Sequence, residues 1–174
     1  MPSLNQVTIL KEIILSKVDV DGSVTSTQEG VSLTNDEDSP GANKVYGTDE
    51  SGNKGWVAPK VILGIAASDE TTALTAGAGK ITFRMPHVIT LTEVRASLVT
   101  AQTSGNIFTV DILKGGVSIL STKLTIDNGE KTSTSATPSV ISDTSLTDDS
   151  EMSISITQIG DGTAKGLKIW LIGI

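Results

Sequence analysis

The chain has 174 residues, enough for one ordinary domain with an extension, and its 20 acidic against 13 basic residues give a formal charge of −7. That balance argues against nucleic acid, whose phosphates need a clustered positive field, and against anionic membrane surfaces. The absence of cysteine removes disulfides and thiolate metal sites, and few aromatics beside abundant Thr, Ser, Val, Ile and Gly make the composition of a β protein with a light, β-branched core.

Residues 1–20 admit two readings. Ser3-Leu4-Asn5-Gln6 fits a capping box, and Val7, Leu10, Ile14 and Val18 roughly follow helical spacing; Val7-Thr8-Ile9 and Ile13-Ile14 are β-branched and favour strands. Either way, Val7, Leu10, Ile13 and Ile14 give the segment more apolar surface than a tail needs. It folds back on the main domain or docks onto another protein as an anchor. Gln6, Lys11 and Glu12 interrupt it, so it lacks a signal-peptide layout, and the apolar stretch at 61–67 is far too short to span a bilayer. Asp19-Val20-Asp21-Gly22 opens like a calcium loop, without the distal bidentate Glu.

Residues 21–59 read as a turn-rich connector. Between Leu33 and Trp56 stand Pro40-Gly41, Gly47, Gly52 and Gly55 among Asn, Asp and Ser, a density that argues against a helix or a plain strand. Tyr46 and Trp56 lie within this polar segment, and ring partners on neighbouring copies of the chain are expected for them. Val24, Val31, Leu33, Val45, Tyr46, Trp56 and Val57 are too few apolar side chains to offset the entropy of ordering the connector alone, so association is expected to order it.

From Lys60 to the C-terminus the period is two. Residues 61–65 read as a buried strand. Residues 80–85 turn Ile81, Phe83 and Met85 one way; 88–98 form a second long run; 106–113 turn Phe108, Val110 and Ile112 one way. Gly115-Gly116 signals a hairpin, followed by strands at 117–120, 123–126 and 139–141. Met152, Ile154 and Ile156 face inward, and after Asp161-Gly162 a last strand places Leu167, Ile169 and Leu171 inward and Trp170 outward, at a subunit interface or on a partly covered surface. This predicts an all-β fold, an antiparallel β-sandwich of jelly-roll type, over residues 60–174.

Catalytic chemistry is sparse. The one histidine, His87, follows Pro86 in a turn with no acid and nucleophile in a recognisable motif. Residues 75–82 lack the glycine spacing and following Ser/Thr of a phosphate loop and read as a turn before a strand. Acids gather at Asp36-Glu37-Asp38 and at Asp143, Asp148, Asp149 and Glu151, the last group being the best candidate for calcium in a chain otherwise expected to be solvated there. No catalytic residue, cofactor or metal ligand is assigned.

Three stretches carry a family resemblance: Leu33-Thr34-Asn35-Asp36; Ser39-Pro40-Gly41-Ala42-Asn43-Lys44-Val45-Tyr46-Gly47-Thr48; and Gly52-Asn53-Lys54-Gly55-Trp56. Together they resemble the connector of tail-fibre, baseplate and head-fibre proteins of tailed phages, departing at Val45, where an aromatic is common. Ile81-Thr82-Phe83-Arg84-Met85-Pro86, Leu91-Thr92-Glu93-Val94-Arg95-Ala96-Ser97-Leu98, Phe108-Thr109-Val110-Asp111-Ile112 and Gly160-Asp161-Gly162-Thr163 are similar to segments of C-terminal domains in phage structural proteins. The resemblance implies a non-enzymatic virion protein on the particle surface. It would be a homotrimeric fibre or spike, attached through residues 1–20 to capsid or tail proteins, with residues 60–174 displayed and host-surface glycan as a candidate ligand. The resemblance also leaves open a capsid decoration protein or a tail or baseplate adaptor, and it assigns no sugar-binding residue.

Overall fold

The computed structural model describes residues 24–27, 30–37, 41–42 and 44–174. Val7, Leu10, Ile13 and Ile14, the Asp19 and Asp21 carboxylates, Asp38 and Pro40 lie outside the described residues. The described chain is all-β with antiparallel sheets, and its one helical element is a 3₁₀ turn at Ser133–Ser135. Among the described residues no helix is long and apolar enough to cross a membrane. The chain divides into two compact units, Met1–Pro59 and Lys60–Ile174.

Among its described residues the first unit holds two hairpins. Strands β1 (Val24–Thr27) and β2 (Gly30–Leu33) pair, as do β3 (Val45–Thr48) and β4 (Lys54–Val57). The turn-rich stretch therefore does contain plain strands, because its turn chemistry is concentrated rather than spread. Between β3 and β4, Asp49 Oδ1 accepts from the Ser51 and Asn53 amides at 2.9 and 2.8 Å, its Oδ2 accepts from Asn53 Nδ2, and Gly52 takes a left-handed φ of 83°. Those bonds, led by that from the Asn53 side chain, hold the Asp49 carboxyl below its ordinary value. The loop closes on itself and leaves the flanking four-residue runs free to pair.

The second unit consists of β5 (Val61–Ala66), β6 (Gly77–Arg84), β7 (Ile89–Ser97), β8 (Phe108–Lys114), β9 (Val117–Ser118), β10 (Leu120–Thr122), β11 (Leu124–Ile126), β12 (Val140–Ile141), β13 (Ser145–Leu146), β14 (Glu151–Gln158) and β15 (Lys168–Gly173). One sheet runs β11-β8-β14-β6, with β9 also on β8; the other runs β13-β7-β15-β5; β10 and β12 form a small ladder. Phe108, Val110, Ile112, Met152, Ile154, Ile156, Leu167, Ile169 and Leu171, read from the alternation as inward, are all buried and belong to one hydrophobic cluster fed by both sheets. A strand's period of two puts one face of each sheet on that cluster and the other outward.

Two readings are corrected. Residues 61–65 form an edge strand rather than a buried one: among the described residues β5 pairs only with β15, and Ile62 remains 60% exposed. Its uninterrupted apolar run looked like a strand buried on both faces, and only the sheet order reveals the open edge. The run at 117–120 is broken at Ile119, whose amide bonds to Ile112 O while its carbonyl receives the Ser142 amide, so β9 and β10 go to different partners.

Candidate functional site

In the first unit, the residues carrying the connector motif converge. Leu33 O accepts the Asp36 amide at 3.1 Å, closing a turn in which Asn35 has φ 57°. Asparagine tolerates this left-handed conformation better than most side chains. The turn engages the β3–β4 hairpin: the Tyr46 hydroxyl donates to Thr34 O at 2.6 Å, Asn35 Nδ2 donates to Lys54 O at 2.6 Å, and Trp56 Nε1 donates to Asp36 Oδ1 at 2.9 Å. Gly55 lies opposite Gly47 and beneath Asn35, with space for a Cβ 3.6 Å from the Asn35 Cβ. Tyr46 and Trp56 are directly cross-strand, and their rings meet edge to face with centroids 5.7 Å apart. The expectation that these rings need partners on neighbouring copies is thus corrected: each is the other's partner within one chain. Both stay half-buried, and Val45 is exposed; Gly41, with φ 83°, sits in open space.

In the second unit a groove of about 600 Å³ lies beside β7. It exists because β13 covers only the start of that strand, pairing with Ile89 and Thr90, while Thr132 bridges Ser97 at the other end. Between these points residues of the segment from Ser133 to Ile141 line the groove. Leu91, Val94, Leu124, Ala136 and Val140 supply an apolar lining, and Thr92, Ser133, Thr134, Ser139 and Thr144 line the groove with hydroxyls. The Ala96 amide donates to Ser133 Oγ at 2.9 Å, so it points away from β15. By the alternation of antiparallel pairing, the Val94 amide and carbonyl point the same way, into the groove. On its rim Arg95 grips Glu93 through two bonds of 2.6 and 2.9 Å; this contact, foremost the hydrogen bond, keeps the Glu93 carboxyl below its ordinary value. The groove therefore offers an ion pair, hydroxyls, a peptide edge and an apolar wall, a set suited to reversible binding of a polar ligand.

A second hollow of about 410 Å³ lies against Ala76–Ala78 and Ser155–Thr157. Its buried Asp111 is already held by Ser118 Oγ at 2.6 Å and Lys123 Nζ at 3.2 Å. The stretch read as a turn before a strand is partly strand itself, since β6 begins at Gly77, and the Gly79 amide donates to Ser155 Oγ at 3.1 Å.

The acidic loop does not gather its carboxylates. Asp143 pairs with Lys114 and accepts the Ser145 amide, whereas Glu151 and Asp149 turn to Arg84, at 3.2 and 3.9 Å. The Lys114 hydrogen bond is the main reason the Asp143 carboxyl titrates below its ordinary value. Among the described residues no three acidic or histidine side chains come together as a metal site. His87 is exposed in its turn.

Sequence reading missed a polar clasp joining three loops. Gln102, 1% exposed, donates through Nε2 to Asn106 O and Asn128 Oδ1, both at 2.6 Å, and accepts the Gly160 amide at 2.7 Å. Asp161 Oδ2 accepts from the backbone and hydroxyl of both Thr103 and Ser104; its Oδ1 accepts from those of Thr163. These donors, the Thr163 and Thr103 hydroxyls first, hold the Asp161 carboxyl far below its ordinary value. Its partners at 102–106, 128 and 160–163 are too far apart in sequence for any local motif to announce it.

No family model matches the chain, and neither a curated protein nor a solved structure matches it.

Proposed function

We propose that this chain is a structural protein of a tailed-phage particle: a short homotrimeric fibre or spike, held by residues 1–20 and displaying residues 60–174 on the particle surface. The observation that carries the reading is the connector. The residues that give it its phage resemblance, Leu33 to Asp36, Tyr46, Lys54, Gly55 and Trp56, are those that interlock turn and hairpin. A motif whose members contact one another is a folding unit, and a folding unit resembling phage connectors supports a connector's role. Its half-buried rings and exposed Val45 leave apolar surface for sister copies to cover.

The displayed domain is read as a jelly-roll sandwich. Counting β5, β6, β7, β8, β11, β13, β14 and β15 as first to eighth, the sheets run first-eighth-third-sixth and second-seventh-fourth-fifth. A long antiparallel ribbon pairing first with eighth, second with seventh, third with sixth and fourth with fifth gives this order when rolled up, and all four pairs are hydrogen-bonded here. The β7 groove is the face we assign to the host surface, with a glycan hydroxyl network as its ligand class. Weak sites repeated over three chains and many fibres would act through avidity.

Light scattering on the purified full chain should give a trimer, and a density map of the whole particle should place residues 1–20 on capsid or tail with the groove outward. A monomer at all concentrations, or a particle without the chain, would overturn the proposal. A head that lies flat on the capsid would replace the fibre with a decoration protein.

A further inference from the structure

We infer that the side of the head where β5 and β6 end their sheets is the contact between copies of this chain about a threefold axis. This rests on the trimeric reading above and names the surface that reading needs. The four sheet edges differ. On one side they are short: β13 has two residues and β11 three. β11 packs against β7, next to the β13 edge, which leaves β6 on the same side as β5. There the edges are long, eight residues in β6 and six in β5.

Natural sheets guard a long edge with charge, proline or a bulge. β5, Val-Ile-Leu-Gly-Ile-Ala, has no charged or polar side chain on either face, and its pairing with β15 is regular throughout. Its inward residues Val61 and Leu63, with Ile81 and Phe83 of β6, pack on the core yet are only partly buried, so the core is open on this side. Ile62, 60% exposed, extends the apolar surface outward.

The occupant follows from charge and chain length. Copies carrying a formal −7 repel one another, so they meet most cheaply where neither presents an acidic side chain; β5 carries no charge, and β6 carries only the cations Lys80 and Arg84. Only Ala58, Pro59 and Lys60 separate β4 from β5, a covalent reach of about 14 Å. In a trimer whose connectors gather on an axis, that link therefore tethers the first residue of each β5 to the last strand of its own connector. Packing is side chain to side chain, because direct β5-to-β5 strand pairing would be twofold.

The chain has no cysteine, so one introduced thiol reports one position. The full-length variants Ile62→Cys and Ala66→Cys, both on the exposed face of β5, are compared with Val117→Cys, whose site is 71% exposed on β9. Each is treated with a maleimide across a dilution series followed by light scattering. In the trimer, I62C and A66C should label about tenfold or more slower than V117C, as thiols shielded from solvent do, and catch up on dilution into monomers. A trimer in which both label as fast as V117C overturns the inference and leaves the trimeric reading standing. A dimer overturns the threefold arrangement, and a monomer at every concentration overturns both.

Discussion

Asp161 shows what one exposed carboxylate does when six donors from three residues converge on it. Its folded proton affinity lies far below the ordinary value of 3.8, so it favours the folded state whenever the unfolded carboxyl would be ionised. That contribution is complete above about pH 4 and is lost as the pH falls from there through the folded value, because the unfolded chain takes up a proton the folded chain refuses. Asp161→Asn removes the ionisation and turns an NH₂ toward amide and hydroxyl donors. Urea midpoints should show the variant less stable than wild type at pH 7, with the gap narrower at pH 3. Equal gaps at both pH values would mean that Asp161 does not act through its charge. Other acids such as Asp69, likewise depressed by bonds from the Thr72 and Thr71 amides, are common to both proteins and cancel. Beside Asp161, Gly160 has no room for a Cβ, which would fall 2.1 Å from Ser104 O, so the loops close only around glycine.

Elements were legible where the two faces of a strand differ. In β8, β14 and β15 the inward residues are buried and most of the outward ones are not, and that contrast is written directly as alternation. The connector strands were not legible, because four-residue runs such as Val45–Thr48 carry too little apolar content to outweigh the turn residues around them. The groove was invisible for another reason: it joins β7 to a segment some 40 residues later, and only the shortness of β13 opens it. The Gly115-Gly116 signal was plain. Lys114 and Val117 pair across it, and φ values of 55° and 81° are those of the primed turn that matches strand twist. Nothing lies within 4 Å of a Cβ built at Gly116, so the cost of a side chain there is conformational alone. Gly116→Ala should cost about 1–2 kcal/mol in chemical denaturation and Gly116→Asn clearly less. If the two substitutions cost the same, the left-handed backbone does not govern this hairpin.

At the scale of the molecule, the two units are unequally provisioned. Lys60–Ile174 holds the buried cluster, whereas the described part of Met1–Pro59 is held by a ring pair, short ladders and hydrogen bonds to a turn. Described residues so thin in apolar burial gain stability from sister copies by mass action in the proposed trimer, and their unfolding should then depend on protein concentration. The chain's two tryptophans make this separable, since Trp56 belongs to the first unit and Trp170 to the second. Trp170→Phe leaves Trp56 to report the connector, and Trp56→Phe leaves Trp170, whose ring covers Gly64 on the outer face of its sheet, to report the head. In urea the Trp56 signal should change first, at a midpoint that rises with protein concentration, and the Trp170 signal at higher denaturant. A Trp56 transition that stays put over a hundredfold range of concentration would mean that the interlocked turn and hairpin stand without sister chains, and the proposed trimer would lose the element that assembles it.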